Sequence, residues 1–366
     1  MAVYATKPGK NPPISQIGAL RWLRENLFST PFNSALTLLA LYLLYISIPP
    51  LANWMLFDAS FAPVSNDQCT KEAACWSYVI EKLNLFVYGF YPSDQYYRVD
   101  AAFYLVLALM VIARLLKGYE HQLLIIIGMF VVYPVIAFFL LYGGLGFEVV
   151  ETNKWGGLML TVVVAAVGIV ASFPIGILLA LGRQSEMKII KFFSVIYVEF
   201  IRGVPLITIL FMASVVLPLF FTEGMDFDKL LRALIGITLF QAAYIAEVIR
   251  GGLQAIPKGQ YEAADAMGLS FYQKTVLIIL PQALKISIPN IVGSFISLFK
   301  DTTLVLIIGL FDVLAMVHLT TSDENWLGRE TEGYVFVTLV MWVILYSMSR
   351  YSKRLETRFS TDHQKV

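Results

Sequence analysis

Residues 261–281 read YEAADAMGLSFYQKTVLIILP, a polar, helix-turn-helix-like insert in a chain that is otherwise compatible with lipid. Pro257 suits a first helical turn, where a missing N–H costs little, and residues 260–267 are mostly good helix formers. Gly268 supplies the left-handed position that closes this helix. Ser270 followed three residues later by Gln273 reads as a capping box opening a second helix, which Pro281 is expected to end. Two short helices are thus predicted to meet at a tight corner. On the first, Glu262 and Asp265 share an edge, while Ala263, Ala264 and Ala266 keep the surface thin enough for a groove on another protein to close around it.

The surrounding composition explains why this insert stands out. Apolar residues make up 58% of the 366 and charged residues 14%, and the mean hydropathy is +0.71. These values describe an integral membrane protein of the all-α kind. A net charge of +1 creates no overall field for steering nucleic acid or polybasic partners. The first residues, with Lys7, Lys10, Pro12 and Pro13, show no apolar run followed by a small-residue cleavage site, so no removable signal is expected. Cys69 and Cys75 are the two cysteines, His121, His318 and His363 are scattered, and no His/Cys cluster has metal spacing. A metal site is therefore not expected.

A bilayer core of ~30 Å needs about 20 helical residues, which predicts about eight spans: 32–53, closed by Pro49 and Pro50, then 99–116, 123–142, 157–181, 203–221, 230–248, 286–317 and 334–349. The fourth carries Gly168, Gly176, Gly182 and Pro174, which suit close packing inside a bundle. Residues 187–202 read as a helix lying along the interface, with Glu199 and Arg202 placed to pair locally. The seventh is too long for one straight span, about 48 Å as helix, and is expected to be tilted, broken or re-entrant, with Gly293 and Gly309 as the places for it to bend. This divides the chain into a segment at 1–31, three spans with a large polar loop (54–98) in 32–155, five spans in 156–349 with the insert at about 257–281, and a basic tail at 350–366.

Of the 27 lysines and arginines, 18 fall on the side of the N-terminus, the insert and the tail, and seven on the other. By the excess of positive charge on cytoplasmic segments, both termini and the insert are expected inside and the 54–98 loop outside. In that oxidising location a Cys69–Cys75 bridge closing a small loop is expected, with unpaired thiols as the alternative.

The sequence contains no Gly-x-x-x-x-Gly-Lys-Ser/Thr, no Ser/His/Asp arrangement and no His-Glu-x-x-His, so neither nucleotide hydrolysis nor covalent catalysis is expected of this chain. Polar residues at membrane depth are the better candidates. Gln241 lies near the midplane of the sixth span, and Lys300, Asp301, Thr302 and Thr303 lie deep in the seventh. Adjacent Lys300 and Asp301 point in different directions on a helix, so one is expected to pair with Glu247 or a partner chain and the other to face an aqueous cavity. Tyr244, Glu247 and Arg250, spaced by three, read as an interface cluster. A DNA-binding helix-turn-helix fails on charge, since Glu262 and Asp265 repel phosphates and only Lys274 helps. A stand-alone secondary transporter working on an ion gradient, with Lys300 and Asp301 as coupling charges, stays open as an alternative.

Glu262-Ala263-Ala264, three residues, Gly268, nine residues, then Ile278-x-Leu280-Pro281 resembles the EAA loop of bacterial ABC-importer permeases. Tyr197-Val-Glu-Phe-Ile-Arg-Gly-Val-Pro205, Ala243-Tyr-Ile-Ala-Glu-Val-Ile-Arg-Gly-Gly252, Ile256-Pro-Lys-Gly-Gln-Tyr261 and Lys300-Asp-Thr-Thr-Leu304 resemble its polar amino-acid branch, the histidine, glutamine and general amino-acid permeases. Thr303 stands where serine is expected. The resemblance covers residues 156–349, the five spans of the family core. The three additional spans are a departure that resembles the longer permease of general L-amino-acid systems. The resemblance implies an inner-membrane subunit without catalysis of its own, coupled through Glu262, Ala263, Ala264, Asp265, Gly268, Leu280 and Pro281 to a dimer of ATPase subunits that hold ATP and magnesium. It further implies a second, homologous permease, a periplasmic amino-acid-binding protein, and a substrate pathway for which Gln241, Lys300, Asp301 and Thr302 are the candidates.

Overall fold

The computed structural model describes residues 18–62, 65–116, 128–220 and 227–360, which fall in two compact units dividing between Ser77 and Tyr78. In the first, α1 (Gly18–Asn26) precedes α2 (Pro31–Ala52), whose start is capped by the Thr30 hydroxyl accepting from the Asn33 N–H at 3.1 Å. Pro49 and Pro50 do not close this helix, contrary to expectation. They lie inside it, and it continues through a wide π turn at Asn53–Phe57. Proline has helical φ but lacks a donor and crowds the carbonyl four residues back; here the winding widens just beyond, and the Asn53 N–H takes up the Pro49 and Pro50 carbonyls. α2 has no buried residue, as befits an apolar helix whose surroundings are lipid or other subunits. The rest of this unit is held by a Cys69–Cys75 disulfide, with 5.8 Å between the Cα atoms, and by Trp76, whose indole donates to Met55 O at 2.9 Å.

α3 (Trp76–Tyr88) starts at the end of the first unit and lies mostly in the second, giving the predicted loop a helical core. Tyr78 bonds Thr320 through their hydroxyls, Trp326 donates to Glu81 at 3.0 Å, and Lys82 pairs with Asp323 at 2.6 Å. α4 (Tyr96–Leu115) and α5 (Tyr133–Tyr142) follow. Buried Arg98 ties them together by donating to Leu140 O at 2.6 Å and Glu148 O at 2.9 Å. The first residues of the predicted third span, with His121, lie outside the described residues.

The core comprises α6 (Gly157–Gln184), α7 (Lys188–Gly203), α8 (Leu206–Phe211), α9 (Lys229–Gln254), α10 (Lys258–Ala266), α11 (Phe271–Gln273), α12 (Leu280–Asp301), α13 (Val313–Thr320) and α14 (Glu330–Ser360). α6 packs most extensively on α9, and α9 on α12. Gly168 makes the three-way contact possible: a β-carbon there would stand 2.9 Å from both Ile237 and Leu298. Between α7 and α8 the chain turns by 103°, because Val204 is extended ahead of Pro205, the conformation a following proline imposes.

Among the described residues, five helices are long and apolar enough to cross a membrane, or six with the bent pair, which is α7 with Leu206–Phe220. α4 has the length, 20 residues, but carries Arg98, Asp100 and Arg114. The seventh predicted span breaks as expected at Gly309, where φ is +71°. α12 tightens to a 3₁₀ helix over Thr302–Ile308 just before it, and Gly293 sits inside α12 without a break. α14 runs on to Ser360, so the basic tail begins as helix.

Candidate coupling corner and polar sites of the spans

The 261–281 corner is closed by backbone geometry. Gly268 has φ +73°. Its N–H donates to Asp265 O at 2.9 Å and the Leu269 N–H to Ala264 O at 3.2 Å, the paired bonds of a Schellman terminus. A β-carbon at Gly268 would touch nothing, so conformation alone demands the glycine. Pro257 is the residue just before α10 rather than within its first turn. The capping box forms, with Ser270 Oγ accepting from the Gln273 N–H at 3.3 Å and Gln273 Oε1 from the Ser270 N–H at 3.0 Å. Lys274 pairs with Asp265 across the corner at 2.6 Å, and Gln282 donates to Gln260 at 3.1 Å. Ala264 is buried, while Glu262, Ala263, Met267, Phe271 and Tyr272 are exposed.

Pro281 does not end the second helix. α11 passes through a π turn at Lys274–Ile279 into α12, giving one helical rod over Phe271–Ile308. Proline lacks a donor and crowds the carbonyl four residues back. Where the winding is already widened, both demands are met without a stop, and Leu280 and Pro281 become the first turn of α12.

At the Gln254 end of α9, Glu247 gathers three arginines: Arg183 from α6 at 3.0 Å, Arg202 from α7 at 3.4 Å, and Arg250 on its own helix. Arg183 also pairs with Glu199 at 2.7 Å, and Arg202 lies 5.8 Å from the Tyr244 ring. Two expectations are corrected here. Glu199 pairs with Arg183 and not with Arg202, because residues three apart on α7 are outcompeted by a guanidinium projecting from α6. Glu247 pairs with neither Lys300 nor Asp301, since the three arginines already occupy its oxygens.

Gln241 is buried at the α9–α12 contact and donates to Ser294 Oγ at 2.9 Å. Asp301 lies seven residues beyond Ser294, on the same face of α12 about 10 Å farther along. Lys300 is exposed and Asp301 half-buried, and neither forms an ion pair among the described residues. Thr302 is fully buried, and its hydroxyl donates to Phe299 O at 2.8 Å, closing α12. The structure therefore links Gln241 to α12 but shows no direct contact between it and Lys300 or Asp301.

A family model described as binding-protein-dependent transport system inner membrane component matches residues 172–361, just over half of the chain. The chain belongs to this family. Its relatives include the inner membrane amino-acid ABC transporter permease protein YhdY of Escherichia coli K12, 52% identical and covered over 94% of each chain. The glutamate/glutamine/aspartate/asparagine transport system permease protein BztC of Rhodobacter capsulatus is 41% identical over 96% of each. A crystal structure of an amino acid ABC transporter with histidines aligns with 55% of this chain and 92% of its own at 29% identity and a TM-score of 0.50. This inner membrane component is thus an ABC-importer permease that crosses the membrane several times, and the ion-coupled secondary transporter is set aside.

For this permease, sequence reasoning missed the sharing of Glu247 among three arginines, of which it placed only Arg250 beside it, and the burial of Arg98. Outside the spans, hydrogen bonding to Lys82 holds Asp323 below the usual carboxylate range.

Proposed function

We propose that this permease carries amino acids inward, driven by ATP hydrolysis on separate subunits that engage its 261–281 corner. The observation that carries this reading is an exposed Glu262 on a corner fixed by Gly268 and continuous with the rod Phe271–Ile308. A groove closing on α10 meets Ala263 and the Glu262 carboxylate, and displacement of the corner passes through Leu280 and Pro281 into the bundle. Asp265, paired with Lys274 and still 57% exposed, braces the corner and lies on the edge offered to the partner beside Glu262. The substrate class follows the names of the relatives. The partners are a pair of ATPase subunits holding ATP and magnesium, a second permease homologous to this one, and a periplasmic amino-acid-binding protein. This subunit is non-catalytic and has both termini in the cytoplasm. Gln241, Lys300 and Asp301 border the pathway.

The test is amino-acid uptake and ATPase co-purification in cells producing Glu262→Lys or Gly268→Pro. Charge reversal or loss of the left-handed turn is expected to abolish uptake and to weaken recovery of the ATPase. Normal uptake by both variants would remove the coupling role.

A further inference from the structure

A second polar site lies at the opposite end of α9 from the Glu247 cluster. Between α8 and Leu217–Phe220 the chain makes a wide π turn at Met212–Val216, a form of winding that gathers at functional sites. α9 approaches this turn at Gly236, where a β-carbon would stand 3.4 Å from Ala213. One helical turn earlier on the same face, Arg232 reaches across and donates through Nη1 to Ser214 O at 2.9 Å. That is the one hydrogen bond of its side chain among the described residues.

Arg232 Nε and Ser214 Oγ are both shielded from solvent and have no hydrogen-bond partner among the described residues, and Ser214 as a whole is only 8% exposed. Arg232 forms no ion pair among the described residues. Asp228, the nearest carboxylate before it, instead caps α9 by accepting from the Leu231 N–H at 2.8 Å and bonds the Thr152 hydroxyl. Lys229 brings a second positive charge to the same end, its Nζ 3.5 Å from where a β-carbon of Gly309 would lie. α8 also packs against Thr302–Ile308, where the regular winding of α12 gives way.

An arginine in a membrane span with idle donors beside an idle hydroxyl is costly unless an anion supplies acceptors. With Nη1 committed to Ser214 O, the Nε–Nη2 edge remains, which is the edge that grips a carboxylate through two parallel bonds. We infer that Arg232 and Ser214 form a binding notch for the α-carboxylate that every amino-acid substrate carries. This rests on the amino-acid reading above and places first contact with substrate at the Lys229 end of α9, ahead of Gln241. The phosphate of an anionic lipid would use the same donors, so the test must separate the two.

The transporter is assembled with its ATPase, second permease and binding protein in proteoliposomes of either neutral phosphatidylcholine or phosphatidylglycerol, and uptake of a mixture of labelled L-amino acids is followed. Arg232→Gln is expected to lower uptake on the order of tenfold to a hundredfold, the loss of a charge-assisted pair, acting mainly through KM, in both lipids and with normal recovery of the complex. Arg232→Lys should retain part of the uptake, and Ser214→Ala should raise KM on the order of a few-fold. Wild-type uptake by Arg232→Gln, or a defect confined to phosphatidylglycerol, overturns the notch while leaving the amino-acid reading standing. Should Arg232→Gln fail to assemble, an unchanged KM in Ser214→Ala overturns it instead. No uptake of any amino acid by the wild-type transporter removes the substrate reading, and the notch with it.

Discussion

α9 carries charge at both ends, and the ends are satisfied in opposite ways. At Glu247 one carboxylate serves three arginines drawn from three helices. At Arg232 one guanidinium meets a single backbone carbonyl and no carboxylate among the described residues. A saturated charge ties helices together and has no capacity left for a ligand, whereas an unsaturated one contributes little to cohesion and keeps its donors for something that arrives. The contrast separates a structural lock from a candidate binding position on one and the same helix.

The largest expected effect comes from removing the shared carboxylate. Glu247→Ala leaves three arginines with Glu199 as the one carboxylate beside Arg183, and should cost about 2–3 kcal/mol, below the range for fully buried pairs because Glu247 is a quarter exposed and Arg183 keeps a partner. It would be read as a lowered thermal unfolding midpoint of the purified complex. Removing one spoke should cost less. Arg250→Met leaves Glu247 with Arg183 and Arg202, and a loss of about 1 kcal/mol is expected in the same assay. Equal losses from the two variants would mean that Glu247 is not the shared centre.

The smallest effect is expected at a pair outside the bundle, which calibrates both ends of α9 against an ordinary ion pair. Hydrogen bonding to Lys82 lowers the Asp323 pKa in the folded state. The stability it contributes is present above the ordinary carboxylate value of about 4 and is lost as pH falls from there through the lower folded value. Asp323→Asn should therefore lower stability slightly at neutral pH, leave it unchanged well below pH 4, and so flatten the acid side of the stability–pH curve. An unaltered acid limb would show that Lys82 is not its partner in solution.

Much of the corner was legible because its determinants are local. Gly268, Ser270 and Gln273 act within five residues of one another, and the break at Gly309 follows from a span too long for the membrane. Pro281 misled because a proline stops a regular helix but not one whose preceding turn has widened, and nothing in KTVLII announces that widening. The Glu247 cluster was hidden for a different reason. Its partners lie 64 residues before it on α6, 45 before it on α7 and three after it on α9, so only the packing of α6 and α7 on α9 brings them together. Arg98 reads as a soluble charge in sequence and becomes a buried tie only once α4 and α5 are side by side.

The unbroken run from Phe271 to Ile308 has a mechanical corollary. Thirty-eight residues at helical rise make a rod of about 57 Å, long enough to act as a lever. A tilt of only about 5° about its Ile308 end sweeps the Ser270 corner through roughly 5 Å, close to one helical pitch. Small angular changes in the bundle and large linear excursions at its edge are therefore the same motion seen from the two ends of one continuous helical arm.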